Sequence, residues 1–209
     1  MRHVMLDLET WGTEPGCDIR SIGAVVFDPD GGTIGVPCST CKGGTTRGNI
    51  NGGGDCSDCL NTRVEHWGEF YVNVDGGEEI RGLNRDPKTV QWWEDQSAEA
   101  RAAFTNPVDL HEGLRDFSEW YSALGNSAET TLWCNGPHFD EVILKACYKA
   151  CNLPIPWHYR APRDFRTELE GAGWPEVEFI GTAHNALDDA IHQARCVIRA
   201  RQIRPAVVA

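Results

Sequence analysis

Arg2-His3-Val4-Met5-Leu6-Asp7-Leu8-Glu9-Thr10 is a nearly continuous apolar run that ends in two acids. Residues 2–8 of this run, followed by turn residues, read as a short strand. The period of two puts Asp7 and Glu9 on one face with Met5, while Val4, Leu6 and Leu8 point the other way. Two like charges placed together repel unless a cation lies between them, or unless both point into water at the strand end.

Working outward, Gly12, Pro15 and Gly16 mark a polar turn, and Ser21-Ile22-Gly23-Ala24-Val25-Val26-Phe27 reads as a second strand. Asp28-Pro29-Asp30-Gly31-Gly32 is a turn, followed by a brief strand over 33–36 and a further one over 69–74. From Pro87 the pattern becomes helical, over 87–96, 98–104 and 109–124, the last with Leu110, Leu114, Phe117 and Tyr121 on one face. A buried strand at 130–134, an amphipathic helix at 140–151, a short helix at 163–169 and a long one at 187–203 complete the chain. This order predicts an α/β fold: a mixed sheet, antiparallel strands first and parallel ones later, flanked by helices.

With 209 residues, 41% hydrophobic and 24% charged, the chain is read as one folded domain over 1–209, without internal repeats. No apolar run approaches the ~20 residues needed to cross a bilayer, and an acid interrupts the N-terminal apolar stretch, so a cytoplasmic protein without membrane contact is expected. The formal net charge of −12 argues against coating duplex nucleic acid. It leaves room for an enzyme that holds a chain end with the help of divalent ions.

Three further residues complete a chemically unusual set with Asp7 and Glu9. Asp140 starts the amphipathic helix after Phe139, where a first-turn acid is also favoured by the helix dipole. His184 precedes Asp189 in His184-Asn185-Ala186-Leu187-Asp188-Asp189-Ala190. At ~100° per residue, Asp189 falls at the margin of the buried stripe of the last helix, whereas Asp188 shares the solvated face with His192, Arg195 and Arg199. Carboxylates on three separate elements with one titratable imidazole are what two-metal phosphoryl chemistry requires.

In joint order and spacing, Asp7-Leu8-Glu9-Thr10, Ser21-Ile22-Gly23-Ala24-Val25, Phe139-Asp140 and His184 five residues before Asp189 resemble the DEDDh (DnaQ-like) 3'-5' exonucleases, which have a ribonuclease-H-like fold. Phe70-Tyr71-Val72-Asn73-Val74, Asp86-Pro87 with Trp92-Trp93, and Arg163-Asp164-Phe165-Arg166-Thr167 look like the small bacterial and phage exoribonuclease branch. The resemblance implies that Asp7, Glu9, Asp140 and Asp189 hold two Mg²⁺ or Mn²⁺ ions, which their hard oxygen ligands favour over zinc. It implies His184 as the base that deprotonates the attacking water, and Leu8, Thr10, Phe139, Trp92, Trp93 and Arg163 as substrate contacts. The implied partners are single-stranded RNA or DNA 3' ends, RNA ahead of DNA, cut to nucleoside 5'-monophosphates, with a homodimer allowed for.

Cys38-Ser39-Thr40-Cys41 and Cys56-Ser57-Asp58-Cys59 are two CxxC pairs separated by 14 residues, within nine cysteines in all. That spacing suits one structural Zn²⁺ in an inserted subdomain over 37–68, set in a β-hairpin, and explains how a Gly-rich stretch would be ordered. Reduced cysteines in a plain loop are the alternative. The insertion departs from the family pattern, so the resemblance assigns it no role.

Trp92 and Trp93 are adjacent on a helix, so one packs inward and the other is free to stack a base. Arg160, Arg163 and Arg166 form a compact basic cluster suited to phosphate or to surface ion pairs. His138 is read as a local hydrogen-bonding partner at the helix start, and Cys147 as core. The rival to the exonuclease reading is a zinc-ribbon adaptor that keeps a non-catalytic nuclease-like core for docking. Within enzymes, another nuclease polarity or a non-nucleic-acid phosphodiesterase would use the same metal site.

Overall fold

The computed structural model describes residues 1–37, 64–65, 68–76, 82–136 and 138–203. The opening run forms β1 (Arg2–Thr10), paired antiparallel with β2 (Ile19–Asp28). β2 pairs antiparallel with β3 (Thr33–Ile34) and with β6 (Glu69–Asp75). On its other side β1 pairs in parallel with β8 (Thr130–Cys134), which pairs in parallel with β9 (Pro162–Asp164). A two-residue β7 (Val108–Asp109) extends the far edge in parallel beside β6, giving the order β7-β6-β2-β1-β8-β9. The sheet is therefore mixed, as the order of motifs predicts.

The helices are α1 (Pro87–Glu94), α2 (Ala98–Ala102), α3 (Leu110–Ala123), α4 (Asp140–Ala150), α5 (Phe165–Glu170) and α6 (Ala186–Ile203). They cover both faces of the sheet. Val4, Leu6 and Leu8 pack with Ile22, Leu114, Phe117 and Ile143 on the α3/α4 side. Met5 packs with Val25, Trp133, Ala190, Ala194 and Val197 on the α5/α6 side. Small residues at 186, 190 and 194 let α6 lie close against the strands. At Gly23 the approach is closest: a Cβ there would stand 2.1 Å from the Ala186 carbonyl carbon. Gly23 pairs directly with Asp7, so this contact delivers the start of α6 to the acidic end of β1.

Two short strands escaped the sequence reading. Residues 163–169 read as one helix, but Pro162–Asp164 is a strand, and α5 begins only at Phe165, with the Asp164 carboxylate accepting from Arg166 N at 3.0 Å. Three residues, one of them proline on a sheet edge, carry no readable period. β7 was hidden in the same way at the head of α3, whose N-cap is Asp109. The strand over 33–36 is split by Gly35, which has φ +80°, into β3 and β4 (Val36–Pro37).

β4 pairs antiparallel with β5 (Val64–Glu65). That ladder closes the base of the cysteine-bearing insertion; Cys38, Cys41, Cys56 and Cys59 lie outside the described residues. No helix among the described residues is long and apolar enough to cross a membrane.

Candidate active site

The register of β1 against β2 shifts between Glu9 and Thr10, a bulge that turns the strand end beside the acids. Asp7 and Glu9 face the first turn of α6, and neither points into water: they are 8% and 9% exposed. The first turn of α6 is built by Asn185, whose Oδ1 accepts from Leu187 N at 3.0 Å and Asp188 N at 3.2 Å. Asp189 follows on the sheet side. Ligand atoms of Glu9, His184 and Asp189 lie within 4.8 Å of one another, and the Glu9 and Asp189 carboxyls are hydrogen-bonded.

Asp140 arrives from the opposite helix layer. Its Oδ1 accepts from Leu8 N at 3.1 Å and its Oδ2 from Asn135 N at 3.1 Å, so the carboxylate is locked between β1 and the end of β8. These bonds, not the helix dipole alone, account for a fully buried acid at this position. Asp188 differs from the expected solvated residue. It is half-buried, and its Oδ2 accepts from Thr182 N at 2.7 Å, tethering the segment that carries His184.

All four acids are held above the ordinary carboxylate range. Burial, then Asp140, Glu9 and Asp189, pushes Asp7 well up. Burial, then Asp189, pushes Glu9 up to about 8, with Arg20 pulling the other way. Burial raises Asp140 to about 7, against the N–H groups of Leu8 and Asn135 and the charge of Arg166. Burial also raises Asp189, with His184 opposing. Four acids that raise one another's pKa form an oxygen donor set able to hold a divalent cation.

Two cavities meet here. One, about 390 Å³, holds the charged half, with Asp7, Asn135, Asp140, His138 and Arg166. The other, about 490 Å³, is lined mainly by apolar atoms from Leu8, Thr10, Trp92, Trp93 and Phe139, beside Glu9. Leu8 and Phe139 belong to both, so the two form one groove. Asp86 caps α1 by accepting from Lys88 N at 2.9 Å with Pro87 as first helical residue, and this helix presents the tryptophans. Trp93 is the buried one; its Nε1 donates to Thr10 O at 2.9 Å. Trp92 is 42% exposed and faces the groove.

Arg163, expected to contact substrate, does not line either cavity. Arg163 Nη1 donates to the carbonyls of Arg160 at 2.7 Å and Pro162 at 2.9 Å. Its neighbour Arg166 lines the charged half, with Nε donating to Asn135 Oδ1 at 3.1 Å. Residues 163 and 166 lie across the strand-to-helix junction that the sequence reading missed, and that junction decides which one turns inward.

Two contributors were not singled out by sequence. Gln193 Nε2 donates to Asp7 Oδ1 at 2.6 Å, with both side chains buried. A polar residue in register with Ala186, Ala190 and Val197 on the buried stripe was the available signal. Arg20, buried on β2, stacks 4.0 Å over Trp93 and 4.5 Å over Phe104 and stands beside Glu9. Nothing local distinguishes it from any strand arginine.

Residues 2–40 and 60–200 match the family model of the 3'-5' exoribonuclease Rv2179c-like domain. The chain belongs to this family. The unmatched interval 41–59 falls inside the cysteine-bearing insertion. No curated protein matches the chain by sequence. Among solved structures, cell-death related nuclease 4 (CRN-4) superposes with a TM-score of 0.57 at 15% identity, covering 95% of this chain and 62% of that one. The chain thus spans under two thirds of that nuclease's length. The nuclease domain of 3'hExo, a DEDDh family member solved with bound rAMP, superposes with a TM-score of 0.52 at 14% identity, covering 96% and 92%. At such identities the likeness establishes the fold, that of the DEDDh exonucleases.

Proposed function

We propose that this chain is a metal-dependent 3'-5' exonuclease that shortens single-stranded ends, RNA ahead of DNA, to nucleoside 5'-monophosphates. The observation that carries this reading is the approach of four acids from β1, α4 and α6: Asp7 interacts electrostatically with Glu9, Asp140 and Asp189, and ligand atoms of Glu9 and Asp189 lie within 4.8 Å of one of His184. The exoribonuclease description of the family supports RNA as substrate. An adaptor would have no use for four acids that repel one another in the core.

The donor set fits divalent cations: hard carboxylate oxygens, in excess of local positive charge. Asp7, Glu9, Asp140 and Asp189 would hold two such ions, which supply Lewis-acid stabilisation of charge on the scissile phosphate and acidify the attacking water. The chain's own residues do the rest. The apolar half of the groove, with Trp92, Phe139 and Leu8, takes the terminal base by stacking, worth about 1–3 kcal/mol per base. Arg166 and His138 border the charged half, where the phosphate would lie. An imidazole nitrogen of His184 accepts the proton of the attacking water, the general-base task for which imidazole side chains are most often used. As the water oxygen bonds to phosphorus the P–O3' bond breaks, the terminal nucleotide leaves with its 5'-phosphate, and the 3' oxygen of the shortened chain takes a proton from solvent to become a hydroxyl.

The acidic surface leaves the grip to the last nucleotides, which favours single-stranded ends over duplex. The insertion over 37–68 is proposed as a structural zinc subdomain held by Cys38, Cys41, Cys56 and Cys59 on the β4–β5 base. Among the described residues, Cys17, Cys134, Cys147, Cys151 and Cys196 are buried and outside any disulfide, as a reducing compartment such as the cytoplasm would leave them. Digestion of 5'-labelled single-stranded RNA and matching DNA, with Mn²⁺, Mg²⁺ or EDTA, tests the function. A metal-dependent ladder receding from the 3' end is expected. An inert wild-type protein would overturn the reading.

A further inference from the structure

Trp92 does two things at once. It lines the apolar half of the groove, where it is 42% exposed, and its ring stands 4.9 Å from that of His184 at 81°. The buried Trp93 backs this pair, 5.0 Å from Trp92 and 6.1 Å from His184, and is pinned by its bond to Thr10 O. His184 sits at φ +63°, a left-handed conformation that a non-glycine residue holds only against a steric cost. The segment before it turns at Gly181, with φ +129°, and is tethered at Thr182 by Asp188. An imidazole on such a backbone is aimed at Glu9 and Asp189 by the side chains packed against it, and Trp92 is the nearer and more exposed of the two indoles.

We propose, resting on the exonuclease reading above, that Trp92 is a positioning residue through which seating of the 3'-terminal nucleobase sets the imidazole of His184 at the acids. A base filling the cavity between Trp92 and Phe139 removes the freedom left to an exposed indole. The edge-to-face contact then passes that restraint to His184. Recognition of the terminal base and readiness of the proton acceptor share one ring, so the base contributes to turnover as well as to binding. Ends that lack a base, or carry one too large for the cavity, are held but cut slowly.

The test uses the full chain and two RNAs, one with an ordinary 3'-terminal nucleotide and one ending in an abasic residue. Rates at saturating RNA are compared for wild type, W92A and W92F. Because general-base catalysis contributes about 10²–10⁴-fold, loss of its alignment is expected to lower the wild-type kcat on the abasic end by about tenfold or more. W92A is expected to be slow on both ends alike, and W92F to restore part of the difference. Independently, the His184 ring resonances in wild type are expected to shift when AMP is added without metal, and to stay put in W92A. A change confined to KM, multiplying effects of W92A and the abasic end, or an unmoved His184 resonance in wild type would overturn the proposal alone. Failure of wild type to digest ordinary RNA would overturn the exonuclease reading and this proposal with it.

Discussion

Gln193 and Asp7, 186 residues apart, are joined by a 2.6 Å hydrogen bond from Nε2 to Oδ1 inside the contact between α6 and the sheet. A neutral amide here satisfies one carboxylate oxygen without neutralising the charge. It also favours the ionised form of Asp7 against the pull of burial.

Removing that donor by Gln193→Ala is therefore expected to weaken divalent-cation binding by about 10- to 100-fold. The basis is the ~1.5–3 kcal/mol typical of a hydrogen bond to a charged group. Calorimetric titration with Mn²⁺ measures this directly. Unchanged affinity in a folded variant would reduce Gln193 to packing.

Gly23→Ala places a methyl group 2.1–2.3 Å from backbone atoms of Ala186 and Leu187, which yield only if α6 lifts. Overpacking of this kind costs about 1–3 kcal/mol, so a Tm drop on the order of 5 °C is expected. Because the start of α6 carries Asp189, activity is expected to fall further than stability does. A variant with wild-type Tm and rate would refute the close approach.

The acids couple pH to stability with a definite sign. Glu9 titrates at about 8 and Asp140 at about 7 in the folded chain, above their ordinary values of 4.5 and 3.8. Between those limits the folded state holds protons that the unfolded state has released, so stability falls as pH rises through the window. In EDTA, Tm is expected to be lower at pH 8.5 than at pH ~5.5. Mn²⁺ is expected to raise Tm, most at the alkaline end, where the acids are free to bind it. A metal-free Tm that climbs with pH would contradict the burial of these groups.

Neighbouring acids on α6 separate by role. Asp189→Asn is expected to abolish hydrolysis and leave the fold intact. Asp188→Asn weakens only the tether to Thr182 and is expected to lower kcat by up to about 10²-fold, the scale of a small misplacement of a catalytic group. Far-ultraviolet circular dichroism and single-turnover rates for both variants decide it. Equal losses would mean that the two positions are not distinguished.

For the insertion, one tightly bound zinc per chain is expected, lost in Cys56→Ser, with Mn²⁺ binding at the acids retained. Metal analysis of the purified chain checks the first part and calorimetry the second. Zinc-free protein with ordinary Tm would return the cysteines to a plain loop.

The mixed sheet was legible because β1, β2 and β8 are long or apolar enough to show their periods. The strands at 108–109 and 162–164 were not, since two or three residues on a sheet edge have no period to show. For the candidate site, Asp7, Glu9, Asp140, His184 and Asp189 are singled out by strand and helix periodicity combined with a family pattern. That Arg166 rather than Arg163 lines the charged cavity was not legible, because residues 163 and 166 straddle a junction between elements.

Local periodicity determines which face of its own strand or helix a side chain occupies. It put Asp7 and Glu9 on the face of Met5, and put Asp189 rather than Asp188 toward the sheet; the structure has both on those faces. Periodicity carries no information about which residue waits on the facing element. The bond from Leu8 to Asp140 spans 132 positions and that from Gln193 to Asp7 spans 186. The seating of Trp92 against His184 likewise depends on how α1 docks beside the start of α6. Those pairings arise from the packing of separate elements on one sheet, so only the tertiary structure decided them.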